Sequence, residues 1–192
     1  MRTINQNNLS GAIEALQNGQ TVVFPTETSY GLGCDATNQE AVDEIFKIKQ
    51  RKSNKPLLVV VPSIEMAKKY LVWNDLLEDL SKKYWPGPLT VVGEWNKEGK
   101  LAMGVVATDN TIAVRVTDFP LTKFLSTELG RPLVATSANL VDAGDVYDSK
   151  KITIKPDILI DGGELPQNPP TTIVSVIGDN LQILRQGQIK IN

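Results

Sequence analysis

The chain has 192 residues, 41% hydrophobic and 22% charged, which is enough to bury a core within one domain without disulfide or metal staples. It contains no histidine and one cysteine, so Ser-His-Asp and Cys-His catalysis, the common zinc sites, thiolate clusters and an internal disulfide are all excluded. A formal net charge of −2 excludes a surface coated in positive charge for nucleic acid, leaving only a local basic patch open.

The first eight residues lack the apolar core of a signal peptide, and no apolar run approaches the ~20 residues of a membrane span, so a cytoplasmic address is expected. Residues 9–16 carry Leu9, Ile13 and Leu16 at helical spacing, and Asn18-Gly19 ends that helix. Residues 21–24 form the first strand. A hydroxyl-rich loop follows, in which Gly31 and Gly33 suit a sharp turn or close approach to a ligand. Asn38 caps a second helix whose buried side is Ala41, Val42, Ile45, Phe46 and Ile48. Lys47, Lys49, Arg51 and Lys52 crowd its end, where cations also simply complement the helix dipole. Strand, hydroxyl loop, helix, basic loop and the strand at 57–61 together form a place for an anionic small molecule.

Helices are expected from Pro62-Ser63 to about residue 71 and from the Asn74 cap to Tyr84, where Trp85-Pro86-Gly87-Pro88 breaks the pattern. Residues 89–92 read as an edge strand after a structural turn, and 96–100 as a polar hairpin-like excursion. Residues 111–116 alternate, placing Thr111, Ala113 and Arg115 on one strand face, either cleft or solvent. Phe119-Pro120 opens a helix that stops at Gly130, and 133–136 is a buried strand ending in Ser137-Ala138-Asn139. Residues 171–176 and 181–184 form a hairpin around Gly178-Asp179-Asn180. The expected fold is a single α/β domain over residues 1–192: a twisted, mixed sheet with flanking helices and a concave ligand cleft.

Several segments in this order resemble the YrdC family of threonylcarbamoyl-adenylate synthases. They are Pro25-Thr26-Glu27-Thr28-Ser29-Tyr30-Gly31-Leu32, Lys49-Gln50-Arg51, Lys55-Pro56-Leu57, Trp85-Pro86-Gly87-Pro88-Leu89-Thr90, Val114-Arg115, Thr136-Ser137-Ala138-Asn139 and Ile183-Leu184-Arg185-Gln186-Gly187. The resemblance spans nearly the whole chain and implies the family's single-domain type. It also implies a reaction in which L-threonine, bicarbonate or carbon dioxide, and ATP give threonylcarbamoyl-AMP and pyrophosphate. No protein nucleophile is required, which suits a chain without histidine. Mg²⁺ is expected to travel with the nucleotide, and no metal site of the protein's own is expected.

Carried over residue by residue, the resemblance assigns Lys49, Arg51 and Lys55 to the phosphates. It assigns Ser137 and Asn139 to the adenylate, with Thr111 and Arg185 as further nucleotide contacts. Thr28, Arg115 and Thr171 fall on the threonine side, Arg115 pairing with the carboxylate. Three departures from the family pattern stand out. Leu58-Val59-Val60-Val61 replaces a neighbourhood that holds a histidine in some members, so apolar contact must close the threonine pocket. Leu140-Val141-Asp142-Ala143-Gly144 follows the Ser-x-Asn motif, leaving Asp145 without an assigned role. Lys52 replaces a frequent proline, which loosens the basic loop. Two rival readings are a family paralogue with another substrate and a module binding tRNA or other double-stranded RNA through Lys47, Lys49, Arg51, Lys52 and Lys55. A third, carbamoyl-adenylate chemistry as in hydrogenase maturation proteins, normally requires companion domains. Partner proteins of tRNA threonylcarbamoylation are implied for the synthase; no membrane is.

Overall fold

Two apolar triplets set the layering of the molecule. The computed structural model describes residues 1–51, 55–141 and 143–191. In it β2 (Val22–Pro25) and β4 (Val59–Val61) are buried throughout, as unalternating apolar strands should be. Because side chains alternate along a strand, Val23, Val59 and Val61 enter one core and Val22, Phe24 and Val60 another. The first core is shared with α2 (Gln39–Lys49), α3 (Ile64–Tyr70) and α4 (Asp75–Tyr84). The second is closed by α1 (Ser10–Gln17) and α5 (Pro120–Leu129), through Ala12, Ala15, Leu16, Leu125 and Leu129. Asn38, Ser63 and Asn74 cap α2, α3 and α4 by accepting from the amides of Ala41, Met66 and Leu77.

The architecture is mixed α/β, as expected, with its strands divided between two mixed sheets. The five-stranded sheet runs β1 (Arg2–Asn5), β9 (Ile158–Asp161), β2, β3 (Tyr30–Gly33), β8 (Thr136–Ser137). The six-stranded sheet runs β11 (Asn180–Arg185), β10 (Thr172–Ile177), β5 (Leu89–Glu94), β6 (Thr111–Val116), β4, β7 (Leu133–Val134). Three strand expectations change. β5 lies between β10 and β6 and is no edge, since both of its sides are hydrogen-bonded. Tyr30–Gly33, expected as loop, pairs antiparallel with β2. The strand expected at 133–136 is two strands that belong to different sheets.

That last feature creates the cleft. β7 pairs with β4 in the larger sheet, β8 pairs with β3 in the smaller one, and Ala135 spans the step by donating its amide to Leu58 O at 3.0 Å. On the smaller-sheet side, Val134 N donates to Cys34 O at 2.9 Å and Ala138 N to Tyr30 O at 2.8 Å. Gly33 makes the junction possible, because a Cβ there would lie 2.2 Å from Val134 O and 2.8 Å from the Phe24 ring. Among the described residues, no helix is long and apolar enough to cross a membrane.

Gly33→Ala should therefore cost roughly 1–3 kcal/mol or more by overpacking a backbone contact. Gly130→Ala, at φ +66° with nothing within 4 Å of the new Cβ, should cost only about 1–2 kcal/mol of left-handed backbone strain. Chemical denaturation of both variants checks the ranking. Only Gly33→Ala should also weaken ligand binding in the cleft, and equal effects on binding would contradict the junction's role.

Candidate active site

A cavity of about 250 Å³ opens where the two sheets meet. Its lining includes Gly31, Leu58 and Ala135, which are small or apolar, together with polar groups from distant segments. Of the apolar run Leu58-Val59-Val60-Val61, Leu58 lines the cavity, while Val59, Val60 and Val61 are packed in the two cores. Five of the residues singled out from the sequence line it: Thr28, Arg115, Ser137, Thr171 and Arg185. Thr26, Ser29, Tyr30, Thr90, Thr136, Asp145, Pro170 and Ile173 complete the wall.

The loop after β2 is closed by its own hydroxyl. Thr26 Oγ1 donates to Ser29 O at 2.6 Å and accepts from the amides of Thr28 and Ser29, each at 3.2 Å. This turn presents Thr28 to the cavity. Tyr30 is fully buried, and its phenol donates to Gly163 O at 2.8 Å while accepting from Gly162 N at 2.9 Å. Burial pushes that phenol above its ordinary range, so it braces the wall and does not titrate near neutrality.

On the opposite side, Arg185 Nε and Nη2 donate to Thr171 O at 3.1 and 2.9 Å, and Nη2 also reaches Thr171 Oγ1 at 3.1 Å. The Thr171 hydroxyl lies 3.2 Å from that of Thr90. Burial lowers the Arg185 guanidinium from its usual value, and the Asp145 carboxylate opposes that shift. Arg115, at the cavity end of β6, is 3% exposed and pairs with Glu27.

Lys49 and Asn139 lie behind this wall. Lys49 is 2% exposed; its ammonium donates to Ser137 O at 2.5 Å, Asn139 O at 2.8 Å and Asn139 Oδ1 at 2.9 Å. Ser137 Oγ donates to the same Asn139 Oδ1 at 2.6 Å, and Asn139 Nδ2 donates to Gly144 O. The ammonium thus has an acceptor for each of its three protons and fixes the turn that carries Ser137. Burial, with repulsion from Arg51 second, lowers Lys49 to about 8 against the pull of Asp145.

Arg51 and Lys55 are not in the cavity wall. Arg51 Nε donates to Lys55 O at 3.0 Å and Nη2 to Pro56 O at 3.2 Å, folding the guanidinium onto its own loop, while Lys55 is exposed. The expectation for Lys52, and its part in a basic face, lies outside the described residues. Thr111 is apart from the others. It shares a face with Arg115, but four residues of strand set it about 13 Å away. There its hydroxyl donates to Asp109 Oδ1 at 2.7 Å and it borders a separate depression.

Tyr30, Thr90 and Thr136 stood inside the quoted motifs without being assigned. Their signal is position: each adjoins a glycine, a proline-rich turn or a strand end that the sheets bring to one edge. No group of three or more His, Cys, Asp or Glu side chains is gathered among the described residues.

The Sua5/YciO/YrdC family model, described as "Telomere recombination", matches residues 14–187. A threonylcarbamoyl-AMP synthase of Vibrio vulnificus is 40% identical over 136 residues, covering 69% of this chain and 72% of that one. One from Vibrio campbellii is 32% identical over 187 residues, covering 94% and 99%. Among solved structures, P. abyssi Sua5 complexed with L-threonine aligns with a TM-score of 0.86 at 28% identity. That alignment covers 97% of this chain and 56% of the P. abyssi chain, so this chain spans little more than half of that protein. A family match of this extent, on a fold shared with Sua5, leaves one conclusion: the chain belongs to the Sua5/YciO/YrdC family.

Proposed function

We propose that the chain is a threonylcarbamoyl-AMP synthase, joining L-threonine, carbon dioxide or bicarbonate, and ATP into threonylcarbamoyl-AMP with release of pyrophosphate. One observation carries the reading: the junction of the two sheets collects hydroxyls and two arginines in one cavity. It is supported by the fold shared with a threonine-bound Sua5 and by the names of the curated relatives.

In this reading Arg115 takes the threonine carboxylate, and the Thr28 and Thr171 hydroxyls border the amino acid. The amine captures carbon dioxide as a carbamate and loses a proton. A carbamate oxygen then attacks the α-phosphorus as the bond to pyrophosphate breaks. Charge builds on phosphoryl oxygens and the leaving group, where fixed donors help most because they need not reorganise. Ser137 and Arg185 serve the adenylate end. Arg51 and Lys55 meet the outer phosphates once Arg51 exchanges its loop carbonyls for phosphate oxygens, a stronger charge-assisted contact. Lys49 and Asn139 act through Ser137 by holding its turn. Thr111 has no contact with substrate in this reading. Among the described residues Asp145 is the one acidic residue in the cavity lining, so Mg²⁺ would arrive held by the phosphates of ATP. The cytoplasm, tRNA as recipient of the threonylcarbamoyl group, and the proteins that transfer it follow as expectations of the same reading.

Arg115→Ala should raise KM for L-threonine roughly 10–150-fold, the worth of a hydrogen bond to charge, while KM for ATP stays within a few-fold. Pyrophosphate release assayed against each substrate checks this, and equal rises in both KM values would contradict it. A pH dependence follows from Lys49. Below about pH 8 it is an ammonium with three N–H donors for its three acceptors. Above that value the neutral amine has two, and one acceptor of the Ser137–Asn139 turn is abandoned. ATP affinity, titrated without threonine so that no substrate amine ionises, should fall as pH rises through about 8. An affinity flat to pH 9.5 would remove Lys49 from the account.

A further inference from the structure

Among the described residues, the charged side chains lining the cavity are Arg115, Asp145 and Arg185, and of these only Asp145 has no place in the proposed reaction. Its side chain is exposed and takes part in no ion pair among the described residues. Its backbone is nonetheless fixed on both sides. Gly144 O accepts from Asn139 Nδ2, and Val146 O accepts from Tyr30 N at 2.8 Å.

Asn139 ties Asp145 to a second residue of the wall. Its amide is oriented by two contacts: Nδ2 donates to Gly144 O, and Oδ1 accepts from the Lys49 ammonium at 2.9 Å. An amide oxygen has no proton to give, so the 2.6 Å contact with Ser137 Oγ consumes the proton of Ser137. Ser137 therefore offers the cavity lone pairs, as the Asp145 carboxylate does. The neighbouring cation is of the opposite kind. Arg185 spends Nε and Nη2 on Thr171 and keeps Nη1 for an anion, and the Asp145 carboxylate is near enough to pull on both Arg185 and Lys49.

We propose that Asp145 and Ser137 receive the ribose hydroxyls of ATP, and that this makes the site select a ribonucleotide over one lacking the diol. The inference rests on the nucleotide reading above. ATP carries few donors. Its phosphate oxygens are anionic acceptors, so a carboxylate repels them and a hydroxyl without a free proton gives them nothing. The vicinal diol carries two O–H groups on adjacent carbons, a match for two acceptors, and carboxylates hold ribose hydroxyls at other nucleotide sites. The sugar also suits this position better than the adenine amine does. One methylene group separates the ribose from the α-phosphate that Arg185 serves, whereas the amine lies across the purine ring. Donors on Arg185 and acceptors on Asp145 and Ser137 thus follow the order of groups along the nucleotide.

Calorimetric titration of ATP and of 2′,3′-dideoxy-ATP, each with Mg²⁺ and without threonine, tests this. The wild-type protein should prefer ATP by roughly 10–150-fold, the worth of a hydrogen bond to a charged acceptor. Asp145→Ala should reduce that preference to roughly fivefold or less by weakening ATP alone. Asp145→Asn, which keeps one oxygen without the charge, should retain only part of the preference and serves if Asp145→Ala does not fold by circular dichroism. Equal weakening of both nucleotides, the mark of a carboxylate that holds Mg²⁺, overturns the inference. Equal tightening, the mark of simple repulsion from phosphate, does so too, as does a folded variant with the wild-type preference. A wild-type protein that binds both nucleotides equally but releases pyrophosphate in a threonine-dependent way loses this inference alone. Protein that binds neither nucleotide loses the functional reading as well.

Discussion

A five-residue stretch that belongs to two sheets governs this structure. Residues 133 and 134 pair in the larger sheet, 136 and 137 in the smaller, and Ala135 is bonded to Leu58 between them. Neither sheet can shift relative to the other without breaking this ladder. Everything placed at the junction, from the Thr26–Ser29 turn to the Ser137 turn and the end of β6, inherits its rigidity. The small residues there matter for the same reason. Gly33 has no room for a Cβ against Val134 O, and Gly31 is hemmed by Thr26 and the Phe24 ring at 3.2–3.3 Å. Strand pairing at this closeness brings Gly31, Leu58 and Ala135 into the lining of the cavity.

Electrostatics is arranged in two tiers. Arg115 and Arg185 reach the cavity, each steadied by an oxygen partner that leaves further N–H groups available. Lys49 sits behind, fully committed to carbonyl and amide oxygens. An ammonium is compact and can satisfy three acceptors in a small space, whereas a guanidinium fork suits planar anions. The chain uses each where its geometry fits. The cations thus differ in purpose: the two arginines face the cavity, and Lys49 braces the turn behind its wall.

The helices were legible because periodicity and caps are local. Asn38 and Asn74 cap as their positions announce, and Gly130 ends α5 in the left-handed region. The strand at Tyr30–Gly33 was hidden, because hydroxyls and glycines resemble a loop and only pairing with β2 makes them a strand. The step at Ala135 was hidden for a related reason: which sheet a residue joins is decided by partners far along the chain. For the site, family motifs brought Thr28, Arg115, Ser137, Thr171 and Arg185 to the cavity lining. Thr111 shows the limit of parity, which gives the face of a strand but not the distance along it. Lys49 looked like a helix-end cation, and its burial depends on the turn 88 residues later. Glu27 drew no notice for the same reason, since it is paired with Arg115, also 88 residues away.

The central claim is that one cavity holds an amino acid and a nucleotide close enough to join them. It is tested most directly by incubating the protein with ATP, L-threonine and ¹³C-bicarbonate and following AMP-linked products by mass spectrometry. The account predicts a threonine-dependent adenylate heavier by the single labelled carbon, formed together with pyrophosphate. ATP turnover that ignores threonine, or an adenylate without the label, would contradict it.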